Sequence, residues 1–325
     1  MSIVWNDKGF QLNGTQFQLI TNLHDLFALK DQEGLVLGKP RDLIETYLDL
    51  FSDFSAPRIF ELGIFRGGST AFFNELLRPE KLVAIDFMED ARPGFKNYLD
   101  TGANAASVRP YFQVDQADKQ RLDEIYTSEF GSAPLDLVVD DASHMLEQTR
   151  ISFNFLFPKL RPGGFYIIED WSWAHVYDPG KIFDKNFGGQ PPMSNLIIEI
   201  MLASAYHQRL IPELRIYPTY AIVRKKATRK PAPDSILPSN ASCAEHALEA
   251  VTCSAEKDLK PSIGQMVLAA EVVLLLREVA NFLRTNRFSR DDCRENRGNT
   301  FAQDAPPTQK ARGFPRGPEA FAGRS

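Results

Sequence analysis

The chain has 325 residues, enough for one large domain and an appendage, with 43% apolar and 24% charged side chains and a net charge of −5. That is the make-up of an ordinary globular protein, and it argues against general affinity for nucleic acid or an anionic membrane. The charge is uneven: residues 1–227 carry 23 Lys+Arg against 30 Asp+Glu, and residues 228–325 carry 14 against 12.

In chain order, residues 10–20 alternate in polarity around Asn13-Gly14, a dipeptide suited to a type I′ turn, which predicts a β-hairpin. Pro40-Arg41-Asp42 opens an amphipathic helix with Leu43, Ile44, Tyr47, Leu48 and Phe51 on one face. From Pro57 onward, short apolar runs alternate with helical stretches. The runs are 59–64, 82–87, 111–114, 135–139 and 165–168; the helices are 70–77, 119–130 and 147–160. This pattern predicts βαβ units and an α/β, Rossmann-like, doubly wound, mostly parallel sheet. A further helix is expected over 194–206 and two last strands over 214–224.

The predicted division is an N-terminal hairpin and helix (1–54), a catalytic domain (55–227), a linker (228–242), a helical appendage (243–287) and a disordered tail (288–325). Residues 263–283 are apolar almost all round, which points to docking or self-association, and hence to a homo-oligomer. Cys243, Cys253 and Cys293 are odd in number and lack CxxC spacing, which favours a reducing, cytoplasmic setting. No signal peptide or membrane span is expected from the sequence.

Five motifs sit at predicted strand ends. The first is Glu61-Leu-Gly63-Ile-Phe-Arg-Gly67-Gly68-Ser69, a glycine-rich strand-to-helix turn that lets a ligand approach the backbone. Its spacing is GxxxGG, not the GxGxxG of a dinucleotide site. The second, Asp86, is placed to accept hydrogen bonds from ribose hydroxyls. The third, Asp115-Gln116, is placed to meet an adenine edge, with Asp118 as a helix N-cap. The fourth and fifth are Asp140-Asp141-Ala142-Ser143-His144 and Glu169-Asp170-Trp171. Their 28-residue interval, Asp141 to Glu169, fits one helical return, so the two strands are expected to be parallel neighbours with converging carboxylates. Converging carboxylates repel one another, and a hard divalent cation such as Mg²⁺ or Mn²⁺ relieves that conflict. His144 has the chemistry of a general base. Trp171 and Trp173 offer stacking faces for a sugar, and His175 is a weaker second candidate.

Taken together, these residues resemble a class I S-adenosylmethionine-dependent methyltransferase. DDASH followed by GGFYIIED is similar to the metal-dependent macrolide sugar O-methyltransferases of mycinamicin type, and to the cephalosporin hydroxylase and rhamnosyl O-methyltransferase groups. The resemblance covers about residues 55–226, and departs from those groups in having Ala142 where they have glycine. It implies a cofactor site of Glu61, Gly63, Gly67, Ser69, Asp86, Asp115, Gln116 and Asp140, with Glu61 toward the methionine amino group. It implies Mg²⁺ (or Mn²⁺) held by Asp141, Glu169 and Asp170, with His144 as the base. The expected acceptor is a small molecule with vicinal hydroxyls. Two alternatives are a nicotinamide-dependent oxidoreductase, disfavoured by the glycine spacing, and a non-catalytic nucleoside- or metal-binding protein.

Overall fold

The computed structural model describes residues 3–31, 34–102, 105–175, 187–206 and 210–227. The linker, appendage and tail expected after residue 227 lie outside the described residues, as does the expected self-associating segment 263–283. Among the described residues, no helix is long and apolar enough to cross a membrane.

The chain opens with a small sheet of β1 (Ile3–Asn6), β2 (Gly9–Leu12), β3 (Thr15–Leu19) and β4 (Leu35–Leu37). β2 and β3 form the hairpin expected around Asn13-Gly14, and both turn residues take positive φ, 50° and 94°. β4 adds in parallel to β3 after the short helix α1 (Leu23–Ala28). The sequence reading had no counterpart for β4 or α1. The amphipathic helix follows as α2 (Arg41–Leu50), and it buries Leu43, Ile44 and Tyr47.

The main sheet has seven strands. β5 (Arg58–Leu62), β6 (Lys81–Ile85), β7 (Val108–Tyr111), β8 (Leu135–Asp140) and β9 (Leu160–Glu169) run parallel, in the spatial order β9-β8-β5-β6-β7. The last strands, β10 (Glu213–Ile216) and β11 (Tyr220–Arg224), add antiparallel beside β9. The helices α3 (Gly68–Leu77), α4 (Pro93–Thr101), α5 (Lys119–Phe130), α6 (Leu146–Leu156) and α7 (Ser194–Tyr206) complete the described helices. The mostly parallel doubly wound sheet is the fold expected from the alternating pattern.

Because successive strand residues point to opposite faces, each apolar strand feeds two cores. On β5, Phe60 and Leu62 pack with α5, α6 and α7, whereas Ile59 packs with α2, α3 and the N-terminal sheet. One strand differs from expectation. The run 111–114 is not a strand of its own: β7 spans Val108–Tyr111, and the chain leaves it at Phe112. β7 is the sheet edge, where Arg109 and Pro110 are tolerated and an apolar run is not needed.

The chain leaves β5 toward β6 and β7, then returns to β8 on the other side of β5. Ligands bind open α/β sheets at the carboxyl ends of strands beside such a reversal. All five motifs lie at that end, around β5 and its neighbours.

Candidate active site

The glycine-rich turn joins β5 to α3. Gly63 takes φ +96° and Gly67 takes φ +77°, conformations that suit glycine. The space their missing Cβ atoms leave is filled by protein. A Cβ at Gly63 would overlap the carbonyl of Asp141, one at Gly67 the Phe95 ring, and one at Gly68 the carbonyl of Val36 on β4. The glycines therefore admit close packing of neighbouring segments, where the sequence reading had assigned the space to a ligand.

Asp86 follows β6 and ties the turn together. Its Oδ2 accepts from the backbone N–H groups of Ile64 (2.8 Å) and Phe65 (2.7 Å), and its Oδ1 from Met88 N–H (2.8 Å). Glu61, by contrast, is fully buried, and among the described residues neither carboxylate oxygen has a hydrogen-bonding partner. The Thr70 hydroxyl, one turn into α3, is also without one. Burial pushes the Glu61 carboxyl up to about 7, against the opposing pull of Ser69, Thr70 and Lys39. A buried carboxyl with neither oxygen paired is rare in a folded protein, which makes Glu61 a candidate ligand contact.

The two residues expected at the adenine edge separate. Asp115 is exposed and accepts from Ala117 N–H (2.8 Å), while Asp118 caps α5 as expected. Gln116 is buried and turned inward. Its amide donates to Asp140 (3.1 Å) and Ser152 (3.1 Å), and its oxygen accepts from Ser143 N–H (2.8 Å). Asp140 is likewise internal, accepting also from Ser152 Oγ (2.7 Å) and the Tyr166 hydroxyl (2.8 Å). Burial raises the Asp140 carboxyl to about 6 despite these donors. Gln116 and Asp140 thus brace the β8 end, sharing a buried network with Ser143, Ser152 and Tyr166.

Beyond that brace lies the acidic centre. β8 and β9 are parallel neighbours, with Asp140 beside Ile168, so the converging acids expected from the 28-residue interval are brought together. Ligand atoms of Asp141, His144 and Asp170 all lie within 4.8 Å of one another. His144 Nε2 is 4.0 Å from Asp141 Oδ1. His144 and Asp170 both take φ +53°, a costly conformation that persists where surrounding structure enforces it. Part of that enforcement is Trp173, whose indole N–H donates to the His144 carbonyl (3.0 Å). Asp170 is exposed as a residue, but desolvation of its carboxyl by the surrounding protein raises it, with Asp141 adding to the rise and His144 and Lys39 opposing.

Glu169 departs from the expected metal trio. It is 4% exposed, and both of its oxygens are taken. Oε1 accepts from the Tyr47 hydroxyl (2.7 Å) and Oε2 from Lys39 Nζ (2.5 Å). Lys39 Nζ also donates to Asp141 Oδ2 (2.8 Å). Burial alone would lower the Lys39 ammonium, but the two carboxylates outweigh it and hold the group well above the usual lysine range. Burial acts on Glu169 in the opposite sense to its partner, raising the carboxyl. With an ammonium and a phenol hydroxyl on its two oxygens, the pair stands as Lys39⁺ and Glu169⁻.

The sequence reading missed Lys39 and the role of Tyr47. The one signal was a lysine two residues after the short apolar run Leu35–Leu37. The expected stacking faces also change. Trp173 is buried and stacks on Phe187, with centroids 4.7 Å apart, so it is packing behind His144. Trp171 is half-buried and donates to the Tyr217 carbonyl (3.0 Å). His175 pairs with Ser194 Oγ (2.8 Å), outside the acidic trio.

Residues 60–171 match the family described as a methyltransferase domain. The chain is 39% identical over 107 residues to demethylmacrocin O-methyltransferase of Streptomyces fradiae, covering 33% of this chain and 26% of that protein. It is 34% identical over 140 residues to mycinamicin VI 2''-O-methyltransferase of Micromonospora griseorubida, covering 41% and 30%. A solved MycE methyltransferase from the mycinamycin biosynthetic pathway, in complex with Mg and SAH, aligns with a TM-score of 0.42 at 28% identity, covering 58% of this chain and 51% of that one. The chain spans about a quarter to a third of the length of these curated relatives. The stretch that matches the methyltransferase-domain family, residues 60–171, holds Glu61, Asp86, His144 and every acid of the centre.

Proposed function

We propose that the chain is an S-adenosylmethionine-dependent O-methyltransferase, assisted by a divalent cation, that acts on a hydroxyl of a sugar-bearing small molecule. The observation that carries this reading is the juxtaposition at one sheet end of a partnerless buried Glu61 and the Asp141–His144–Asp170 cluster. The matched relatives are O-methyltransferases by name, one of them acting on a rhamnosyl tetracenomycin, and this supports the acceptor class.

The residues fit both groups. S-adenosylmethionine supplies a methyl group on a sulfonium sulfur, open to displacement by an acceptor oxygen. Glu61, buried with neither oxygen paired, is the residue that meets the ammonium of its methionyl part. Asp86 holds the turn in shape, with ribose hydroxyls as its further partners, and exposed Asp115 lies on the adenine side. A divalent cation supplies Lewis acidity that lowers a hydroxyl's pKa and fixes its orientation, most effectively on neighbouring hydroxyls. Asp141 and Asp170 offer the oxygen ligands that Mg²⁺ and Mn²⁺ prefer. His144, a nitrogen donor, is then free to take the acceptor's proton at Nε2.

Transfer of label from radiolabelled S-adenosylmethionine to a glycosylated macrolide, with and without EDTA, tests the reading. Label on a sugar hydroxyl that disappears with EDTA and returns with Mg²⁺ is expected. Full transfer in EDTA would discard the metal, and no binding of S-adenosylhomocysteine by calorimetry would discard the cofactor.

A further inference from the structure

Three carboxylates converge at the end of β8 and β9: Asp141, Glu169 and Asp170. Against their three negative charges stands one buried ammonium, Lys39, brought in from outside the family-matched segment. Its delivery is fixed by packing. β4 lies against the start of α3 closely enough that only glycine fits at position 68. Lys39 follows two residues after β4, and Tyr47 comes from α2 immediately after it.

We propose that Lys39 is a built-in cation of this centre: it takes Glu169 as its own counter-ion and leaves the divalent ion to Asp141 and Asp170. This rests on the metal reading above and departs from the ligand set that the sequence implied, in which Glu169 coordinates the metal. Lys39 is a positioning residue, because it acts through Asp141 and Glu169.

Two features of the geometry support it. First, Asp141 is split between its neighbours. Oδ2 faces Lys39 at 2.8 Å, while Oδ1 faces the His144 side. One oxygen is therefore anchored and the other remains available to the centre. Second, each Glu169 oxygen already has a donor. It is buried, with Lys39 on one oxygen and Tyr47 on the other. Coordination by Glu169 would take from Lys39, itself 4% exposed, the shorter of its two carboxylate contacts and leave Asp141 as its one counter-ion, and weakening a buried ion pair is costly. With Lys39 in place, the four charged side chains sum to −2, the charge that one divalent ion cancels.

The direct test is diffraction from crystals of the unaltered protein soaked in Mn²⁺, using manganese anomalous scattering. Manganese on Asp141 and Asp170, with Lys39 Nζ still on Glu169, is the expected result. Manganese bonded to Glu169 with Lys39 displaced overturns the proposal and leaves the metal reading standing. No manganese on Asp141 or Asp170 overturns both. A second readout uses Mn²⁺ titration followed by the electron-spin signal of the free ion, with melting curves in metal-free buffer. The double variant K39M/E169Q removes both partners of the ion pair. It should keep Mn²⁺ affinity within about threefold and melt above K39M alone. A tenfold or greater loss of affinity in the double variant, with D141N equally weakened, makes Glu169 a ligand and overturns the proposal.

Discussion

Replacing Glu61 with glutamine keeps the side-chain shape and removes a charge from a group that is fully buried and without a partner. The Glu61 carboxyl is raised from 4.5 to about 7, chiefly by burial. A folded-state pKa above the unfolded one means that the folded protein holds the proton more tightly. Glu61 therefore costs nothing below pH 4, and its penalty grows between pH 4.5 and 7 and is complete above 7. The shift corresponds to on the order of 3 kcal/mol. Cofactor-free Glu61→Gln should thus match the wild type in stability near pH 4.5 and exceed it by about that amount at pH 8. Chemical denaturation at several pH values measures this, and the difference between the two proteins cancels the other raised acids, such as Asp140. Binding should move the opposite way. A cationic ligand needs the ionised acid, so wild-type affinity for S-adenosylhomocysteine should rise with pH up to about 7, while Glu61→Gln binds weakly and without that rise. Parallel stability curves for the two proteins would refute the reasoning, because Glu61 would then be neither desolvated nor waiting for a cation.

Asp86→Ala leaves three backbone N–H groups without their acceptor and should cost roughly 1–3 kcal/mol in stability, besides weakening cofactor binding. Melting curves and calorimetry read the two effects separately. Gly68→Ala forces β4 away from α3 and should destabilise by about 1–3 kcal/mol, even though position 68 touches none of the acids of the centre. An unchanged melting temperature would deny that close approach. His144→Ala should retain Mn²⁺ yet slow single-turnover methyl transfer by about 10²–10⁴-fold. Loss of Mn²⁺ in that variant would make His144 a ligand, with another base required.

The strand-end acids were legible because each closes a short apolar run, and a buried parallel strand leaves its carboxyl end as the first place where a polar side chain is tolerated. Position along the sheet followed from run order, which is why Asp141, His144 and Asp170 were anticipated as neighbours. Direction of the side chain was not legible. Gln116 and Asp140 carry the same residue types as a binding edge, but the sequence does not say that Ser152 and Tyr166 wait beneath them. Trp173 reads as a loop aromatic until Phe187 is known to face it. Lys39 was least legible of all. Its partners are 102 and 130 residues away, and nothing local distinguishes it from a solvated lysine. Only the packing of β4 on α3, across a glycine whose purpose looked like ligand access, brings it to the centre.

That long reach of Lys39 redraws what counts as the smallest working piece of this protein. A fragment cut at the family boundary, residues 60–171, would keep all three carboxylates and shed the ammonium that offsets one of them. Trimming the first 54 residues would do the same. Such fragments would inherit a surplus negative charge and a carboxylate stripped of both its donors, Lys39 and Tyr47. The N-terminal segment is thus an electrostatic component of the acidic centre, and any graft, chimera or minimal version of this domain has to carry it along.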